Sequence, residues 1–322
     1  MKTLRWWVGL WDRREHPRAL ATVRILLAAV LLVDWLTIAQ LGLVDAIFAP
    51  LEGGGIGDPF GRETVPWLYG VVPPERAGVV IFGALVTLTV MVGAGVMTPV
   101  SCGALVLVWA QAARGLPLAD RGIDTLCRNA LLILTFSGCF RAWSVDAKLM
   151  TGRWSGDSQP IPSWPRYLLI CQVVLMYFTA GTHKYASSWT PFGDFSALYI
   201  AMNDPAFAML RPSLLAGVFP ATQALTAGSL LWEVAAPMML FALYFRDTRI
   251  RPGGLRSMMN RLNFRTLYLL IGASFHMGTA VSLQLGIFPW AMLSLYPAFF
   301  HPDELQQFMR GLRGGDGDTR TD

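Results

Sequence analysis

The sequence contains eight apolar runs, and their lengths limit the kind of protein that the chain can form. About 20 apolar residues are needed to cross the hydrocarbon core of a bilayer. Of all residues, 54% are hydrophobic and 15% are charged, whereas about a quarter are charged in soluble globular proteins. The sequence therefore predicts an all-α integral membrane protein, a polytopic bundle of about eight transmembrane helices. The runs cover residues 20–41, 76–96, 99–113, 124–143, 165–183, 222–245, 265–285 and 287–301.

Two of these runs, 99–113 and 287–301, are short for a full crossing. Each is expected either to cross the bilayer or to form a re-entrant segment. A short interfacial helix is predicted before the first run, because residues 1–18 interleave tryptophans with basic side chains. The transmembrane domain is predicted over 19–301. Residues 302–322 are polar and end in a Gly-rich stretch, which is typical of a disordered tail.

The basic side chains are distributed unevenly between the predicted loops. With the N-terminus in the cytoplasm, 19 of the 26 lysines and arginines lie in cytoplasmic segments. This bias predicts an integral cell-membrane protein with an even number of spans and both termini cytoplasmic. Because the basic residues flank apolar runs and do not share one face, the net charge of +5 indicates lipid as a partner and excludes nucleic acid.

The four cysteines stand in or beside apolar runs. None has a second cysteine or a histidine at a metal-binding spacing. We interpret them as small buried side chains and predict neither a metal site nor a disulfide framework. They are Cys102, Cys127, Cys139 and Cys171.

The end of the fifth run is the most informative stretch, because an apolar helix there meets His183 and Lys184. A charged side chain in hydrocarbon costs at least about 2.5 kcal/mol. Lys184 therefore either lays its stem along apolar surface and reaches the lipid headgroups, or it sits in an enclosed polar site. The basic-residue bias places it at the outer end of the fifth span, below a long loop that carries Trp189.

Other runs also contain ionisable residues. In the first run Arg24 and Asp34 are about 15 Å apart along a helix, so they cannot pair with each other. We expect each to form a structural ion pair, with the partner of Asp34 on another helix.

Glu233 shares a helical face with Thr226 and Ser229, and His276 shares one with Gly272 and Thr279. Both ionisable side chains must face protein, where they could pair with each other or with Arg128. For each of them alone, a satisfied structural hydrogen bond is the commoner outcome. Pro237 cannot donate to the carbonyl of Glu233 and is expected to kink the sixth span. Together with Lys184, these residues predict a polar pocket that opens outward.

The segment YFTAGTHKYASSW at residues 177–189 resembles the signature of the HTTM (horizontally transferred transmembrane) family. That family shares its membrane domain with vitamin K-dependent gamma-carboxylase. In the signature an apolar helix ends in Tyr-Phe-x-Ala-Gly-x-x-Lys and is followed by a Trp and a Gly, here Trp189 and Gly193. Four further segments agree in order within residues 15–300: VRILLAAVLLVDW, GIDTLCRNALLILTFSGCFRAWSVDA, LLWEVAAPMML and FHMGTAVSLQLGIFPWAML.

The resemblance implies a helical bundle with an outward-facing site. In the carboxylase, the second of two adjacent lysines is the amine that deprotonates reduced vitamin K. That position corresponds to Lys184, while His183 replaces the first lysine. The resemblance leaves the cofactor unknown and offers a reduced quinone as one candidate. The predicted catalytic residues are Lys184, His183, His276 and Glu233, and the predicted cofactor-binding residues are Tyr177, Trp189 and Arg128.

Two functions follow from the sequence. The first is a carboxylase-like membrane enzyme that uses Lys184 as a base and a quinol-type or other lipid-soluble partner. The second is a non-catalytic maturation or accessory factor for a secreted peptide, like the sporulation-delaying-protein B branch of the same family. A transporter is disfavoured because no internal repeat is evident.

Overall fold

The computed structural model describes residues 8, 9, 11–56, 70–157, 159–210 and 216–313, and excludes the side chains of 216 and 308–313. It divides into two compact units, the first from 1–169 and 294–322 and the second from 170–293. The described residues are mainly helical. Their one named sheet is a two-stranded antiparallel pair, β1 (Arg14–Glu15) and β2 (Ile161–Pro162).

The first unit contains four of the predicted runs. Its α-helices are α1 (Arg18–Gln40), α2 (Val44–Phe48), α3 (Pro74–Ala94), α4 (Thr98–Gly115), α5 (Gly122–Thr135) and α6 (Val145–Thr151), with 3-10 turns at Leu51–Gly53, Pro117–Ala119 and Cys139–Arg141. Helix α7 (Trp164–Thr182) begins in this unit and ends in the second.

The second unit continues with 3-10 turns at Ser187–Trp189, Pro191–Gly193 and Ala216–Val218. Its helices are α8 (Ala197–Asn203), α9 (Phe219–Val234), α10 (Met238–Asp247), α11 (Gly254–Arg261) and α12 (Phe264–Ser282). Helix α13 (Phe288–Leu295) begins there and ends in the first unit, followed by a 3-10 turn at Tyr296–Phe299 and by α14 (Pro302–Arg313).

At least one helix overlaps each of the eight predicted runs, which confirms the all-α class. Eight crossings are not confirmed. Among the described residues, α1 and α3 are long and apolar enough to span a membrane, and the α9–α10 pair would make a third span. That pair bends by 54°. The break lies at Pro237, as expected, and the N–H of Ala236 reaches the carbonyl of Glu233 at 3.1 Å in its place.

Three predicted boundaries differ from the structure. The fourth run is helical only to Thr135, because Gly138 adopts a left-handed conformation at a φ of 70° and ends the segment. The tail is helical over Pro302–Arg313, where acidic residues occupy the first turn, whereas disorder was predicted from residue 302. Within the predicted interfacial helix, Arg14–Glu15 form strand β1, and residues 1–7 and 10 lie outside the described part.

Arg24 shows how the first unit accommodates a charge in its core. The side chain is fully buried, and its guanidinium donates to the carbonyl of Val92 at 3.1 Å and of Trp143 at 2.6 Å. The expected ion pair for Arg24 is therefore replaced by backbone acceptors at the C-terminal end of α3 and before α6, which have unused lone pairs. Asp34 does find a partner on another element, as predicted: Arg121, just before α5.

Candidate active site at the end of helix α7

Helix α7 ends in a tight turn that delivers Lys184 to the helix α9 side of the second unit. The N–H of His183 donates to the carbonyl of Thr179 at 3.0 Å, and the N–H of Lys184 donates to Gly181 at 3.3 Å. Gly181 has no room for a side chain, since an added Cβ atom would lie 2.9 Å from the Cβ of Glu233. The glycine thus brings the two helices into backbone-level contact at this point.

Lys184 and Glu233 form an ion pair across this contact. The lysine Nζ donates to Oε2 of the carboxylate. The Lys184 side chain is 18% exposed and that of Glu233 is 7% exposed, so the acid is buried and the lysine side chain is partly exposed. A charged pair this far from water depends on each partner to offset the cost of burying the other.

The ring of Trp189 covers one side of the amine. Its centroid lies 4.0 Å from the Nζ of Lys184, within the range of a cation–π contact. Gly193 allows the chain to fold tightly here, because an added Cβ atom would lie 2.6 Å from the carbonyl carbon of Ser187. The two glycines of the sequence signature therefore each permit a close contact beside Lys184.

The loop after Lys184 is anchored on helix α9. The side-chain amide of Gln223 donates to the carbonyl of Asp194 at 2.7 Å, and the N–H of Leu198 donates to Oγ1 of Thr226 at 3.2 Å. Asp194 and Phe195 both adopt left-handed backbone conformations, with φ values of 55° and 49°. These bonds fix the loop that carries Trp189 to the same helix that carries Glu233.

His276 lies in a buried aromatic cluster. Its Nε2 is 2.6 Å from the hydroxyl of Tyr177, and its side chain has no exposed area. Trp232 lies at the centre of this cluster and joins α9 to α12 through two hydrogen bonds with Tyr268. The Nε1 of Trp232 donates to the backbone carbonyl of Tyr268 at 3.2 Å. The hydroxyl of Tyr268 donates to the backbone carbonyl of Trp232 at 3.1 Å. The rings that pack around His276 are those of Tyr177, Trp232, Phe275 and Phe288.

Among the described residues, Glu233 pairs with neither His276 nor Arg128, the two partners that the sequence left open. Glu233 pairs with Lys184, and His276 bonds to Tyr177. The physical reason is that Gly181 lets the end of α7 approach Glu233 directly, and a nearby amine satisfies a buried carboxylate better than an imidazole within an aromatic cluster.

A family model described as the HTTM domain matches residues 12–303. The chain belongs to the HTTM family. Resemblance to the gamma-carboxylase membrane domain is a general property of that family. No curated protein and no solved structure matches this HTTM protein.

The second unit of the HTTM protein brings together most of the predicted site residues. Lys184, Glu233 and Trp189 are in mutual contact through the amine, while Tyr177 and His276 form a second contact beside Trp232, the neighbour of Glu233.

Two predicted site residues make other contacts. The Nδ1 atom of the exposed His183 is 2.8 Å from the carbonyl of Thr179. Arg128 lies in the first unit, where its guanidinium binds both oxygens of Asp120 at 2.7 Å and stacks over Trp109.

Sequence reasoning missed Trp232, which organises the site of this HTTM protein through contacts with four aromatic rings. It named Gly181 only as part of the family signature, without the packing role by which this glycine sets the approach of α7 to α9. A signal for the aromatic cluster was present, because Tyr268 stands one helical turn before Gly272 and two before His276, on the face already assigned to protein.

Proposed function

We propose that this HTTM protein is a membrane enzyme in which Lys184 acts as a base on a quinol-type or other lipid-soluble partner. The observation that carries the proposal is the Lys184–Glu233 pair, in which the lysine side chain is partly exposed and the glutamate is buried. An ionisable residue within a membrane-spanning segment is by default a hypothesis for a functional site. Membership of the HTTM family supports the same class of protein.

The pair supplies a route for a proton. Transfer of one ammonium proton from Lys184 to Glu233 gives a neutral amine beside a neutral carboxylic acid. The amine then accepts a proton from the hydroxyl group of a bound partner: the O–H bond breaks, the N–H bond forms, and the partner keeps the electron pair as an oxyanion. Lys184 restored to its ammonium form stabilises that oxyanion by charge.

The surroundings of Lys184 fit a reduced quinone. Trp189 offers a ring at 4.0 Å from the amine. Two further aromatic side chains in the segment after Lys184, Tyr185 and Phe192, are 78% and 96% exposed. Aromatic faces of this kind stack on a planar ring. A bound quinol would supply the acidic hydroxyl group, and Lys184, Trp189 and Glu233 would hold it and receive its proton.

The proposal includes an orientation. The excess of basic residues in one set of loops supports cytoplasmic termini. In that orientation Lys184 faces the outer side of the membrane, so the enzyme acts on a partner that enters from the outer leaflet. His183 adjusts the chain next to Lys184, since its ring contacts backbone.

The test uses the full chain purified in detergent and menadiol, a small quinol, in air-saturated buffer. We expect the wild type to accelerate oxygen consumption and menadiol oxidation. Lys184→Arg should reduce the rate to that of buffer, because a guanidinium stays protonated while it keeps charge and length. Lys148→Arg is the matched control, since Lys148 is exposed and its Nζ bonds to the carbonyl of Gly152.

The outcomes separate the two functions. Loss of activity in Lys184→Arg with full activity in Lys148→Arg supports the base. Full activity in Lys184→Arg, or no quinol turnover by the wild type, overturns it. In either case we would interpret Lys184 as an anchor at the membrane edge. The accessory-factor alternative, in which the protein helps to mature a secreted peptide, would then be preferred.

A further inference from the structure

We propose that the first unit contains a binding site for a small organic cation of the alkylammonium class. The site is a cavity of about 160 Å³ between α1, α2, α4 and the start of α5. A cavity of about this size holds one benzene ring, which is similar in size to a tetramethylammonium group. Aromatic and apolar side chains make most of the wall, and charged groups close one side: Asp34, Asp120, Arg121 and Asp124.

The charged side of the cavity has three carboxylates, those of Asp34, Asp120 and Asp124, but only two arginines pair with them in the described part of the chain. Arg121 is shared by two buried carboxylates, at 2.5 Å from Asp34 and 2.8 Å from Asp124. Asp120 has its own partner in Arg128. In the described part of the chain, neither Asp34 nor Asp124 contacts a second basic side chain. An unmatched carboxylate in an apolar setting is costly, so the cavity favours an occupant with one positive charge.

The aromatic walls favour the same occupant. Trp35 and Trp109 meet edge to face at 5.1 Å between centroids, and Phe48 stands at 6.2 Å and 68° from Trp35. The Trp35 ring is fixed by its Nε1, which donates to Oγ1 of Thr89 at 3.0 Å. Rings that meet at steep angles form a partial box, and such boxes recognise substituted ammonium groups through cation–π attraction.

The cavity is accessible from the protein surface. Arg121 lines it, and 41% of the Arg121 side chain is exposed. Two sources can supply an alkylammonium group: the headgroup of a choline lipid, or a free amine. Both would place the positive nitrogen between the aromatic rings and the Asp34 carboxylate.

The experiment measures binding of radiolabelled choline to the purified full chain by equilibrium dialysis in detergent. Asp34→Asn has nearly the same shape and leaves Arg121 paired one-to-one with Asp124, so it removes the excess charge without leaving an unpaired ion. We expect choline binding to weaken about tenfold or more in this variant. Glu75→Gln makes the same charge change at an exposed position outside the cavity and should bind like the wild type.

A second pair of variants tests the aromatic wall. Phe48→Leu removes a lining ring, whereas Phe82→Leu removes a ring that packs on Phe48 at 6.0 Å but does not line the cavity. Weaker binding in Phe48→Leu alone supports the site. Equal binding in wild type and Asp34→Asn, or equal losses in the two Phe variants, overturns it.

Nanodiscs distinguish the two sources. If the wild type binds choline in phosphatidylglycerol nanodiscs and loses this binding in phosphatidylcholine nanodiscs, the lipid headgroup occupies the site. If binding is equal in both and still depends on Asp34, the occupant is a free amine. In each kind of nanodisc, the choline bound by the Asp34→Asn variant measures the non-specific attraction of choline to the membrane surface, and this amount is subtracted from the wild-type value.

Discussion

Gly181 and Glu233 approach so closely that an added Cβ atom on the glycine would lie 2.9 Å from the Cβ of the glutamate. This contact sets the position from which Lys184, three residues later, reaches the Glu233 carboxylate. The same added atom would meet Val234 at 3.0 Å, both at a side-chain carbon and at the backbone nitrogen. The glycine is therefore a requirement of helix packing as well as of the ion pair.

Gly181→Ala should push α7 away from α9. Overpacking of this kind costs about 1 to 3 kcal/mol. We expect a lower melting temperature in detergent and loss of any activity that depends on the ion pair. Gly228→Ala is the control, because Gly228 lies within α9 with nothing near its added Cβ atom, and alanine there should preserve or raise stability. Equal melting temperatures for Gly181→Ala and Gly228→Ala would show that the contact between Gly181 and Glu233 is not tight.

The Lys184–Glu233 pair should behave as a coupled unit. Lys184→Met leaves the buried Glu233 carboxylate without its partner and should destabilise the protein by about 3 to 5 kcal/mol. Adding Glu233→Leu removes the stranded charge and should recover part of that loss. A double-mutant cycle on thermal unfolding measures the coupling, and strictly additive effects would contradict a direct pair.

The Tyr177–His276 hydrogen bond is fully buried and should contribute to stability. Tyr177→Phe keeps the ring and removes the hydroxyl, with an expected loss of about 0.5 to 1.5 kcal/mol. Tyr185→Phe makes the same change on an exposed ring and should be silent. His276→Ala also removes packing in the aromatic cluster, so its loss should exceed that of Tyr177→Phe, by analogy with other ring-to-alanine changes. A silent His276→Ala would argue against this cluster.

The proposed orientation can be tested by labelling single cysteines in intact cells. In a background without the four native cysteines, we expect an impermeant maleimide to label Ile56→Cys and to spare Ile250→Cys. Both positions are exposed, so access depends on the side of the membrane. Labelling of position 250 but not 56 would invert the topology. Lysed cells, in which both cysteines should react, serve as the control.

The sequence by itself located the helices of the apolar runs. Long apolar runs favour helices in hydrocarbon, because intrahelical bonds satisfy their backbone groups there. The proline at position 237 marked a helix break by a local rule, since a residue without an N–H cannot continue the ladder. The identity of Lys184 as the polar end of an apolar helix was equally a local feature. The family followed from short motifs in a fixed order.

Only the tertiary structure decided which polar groups meet. Periodicity shows the face of a helix on which Glu233 lies, but it does not say which neighbour faces it, and the answer was Lys184 and not His276. Arg24 likewise found carbonyl oxygens where a carboxylate was expected. Pairing between helices depends on how closely their backbones approach and on their relative rotation. A single glycine such as Gly181 can set both, and its effect appears only when the opposite helix is in place.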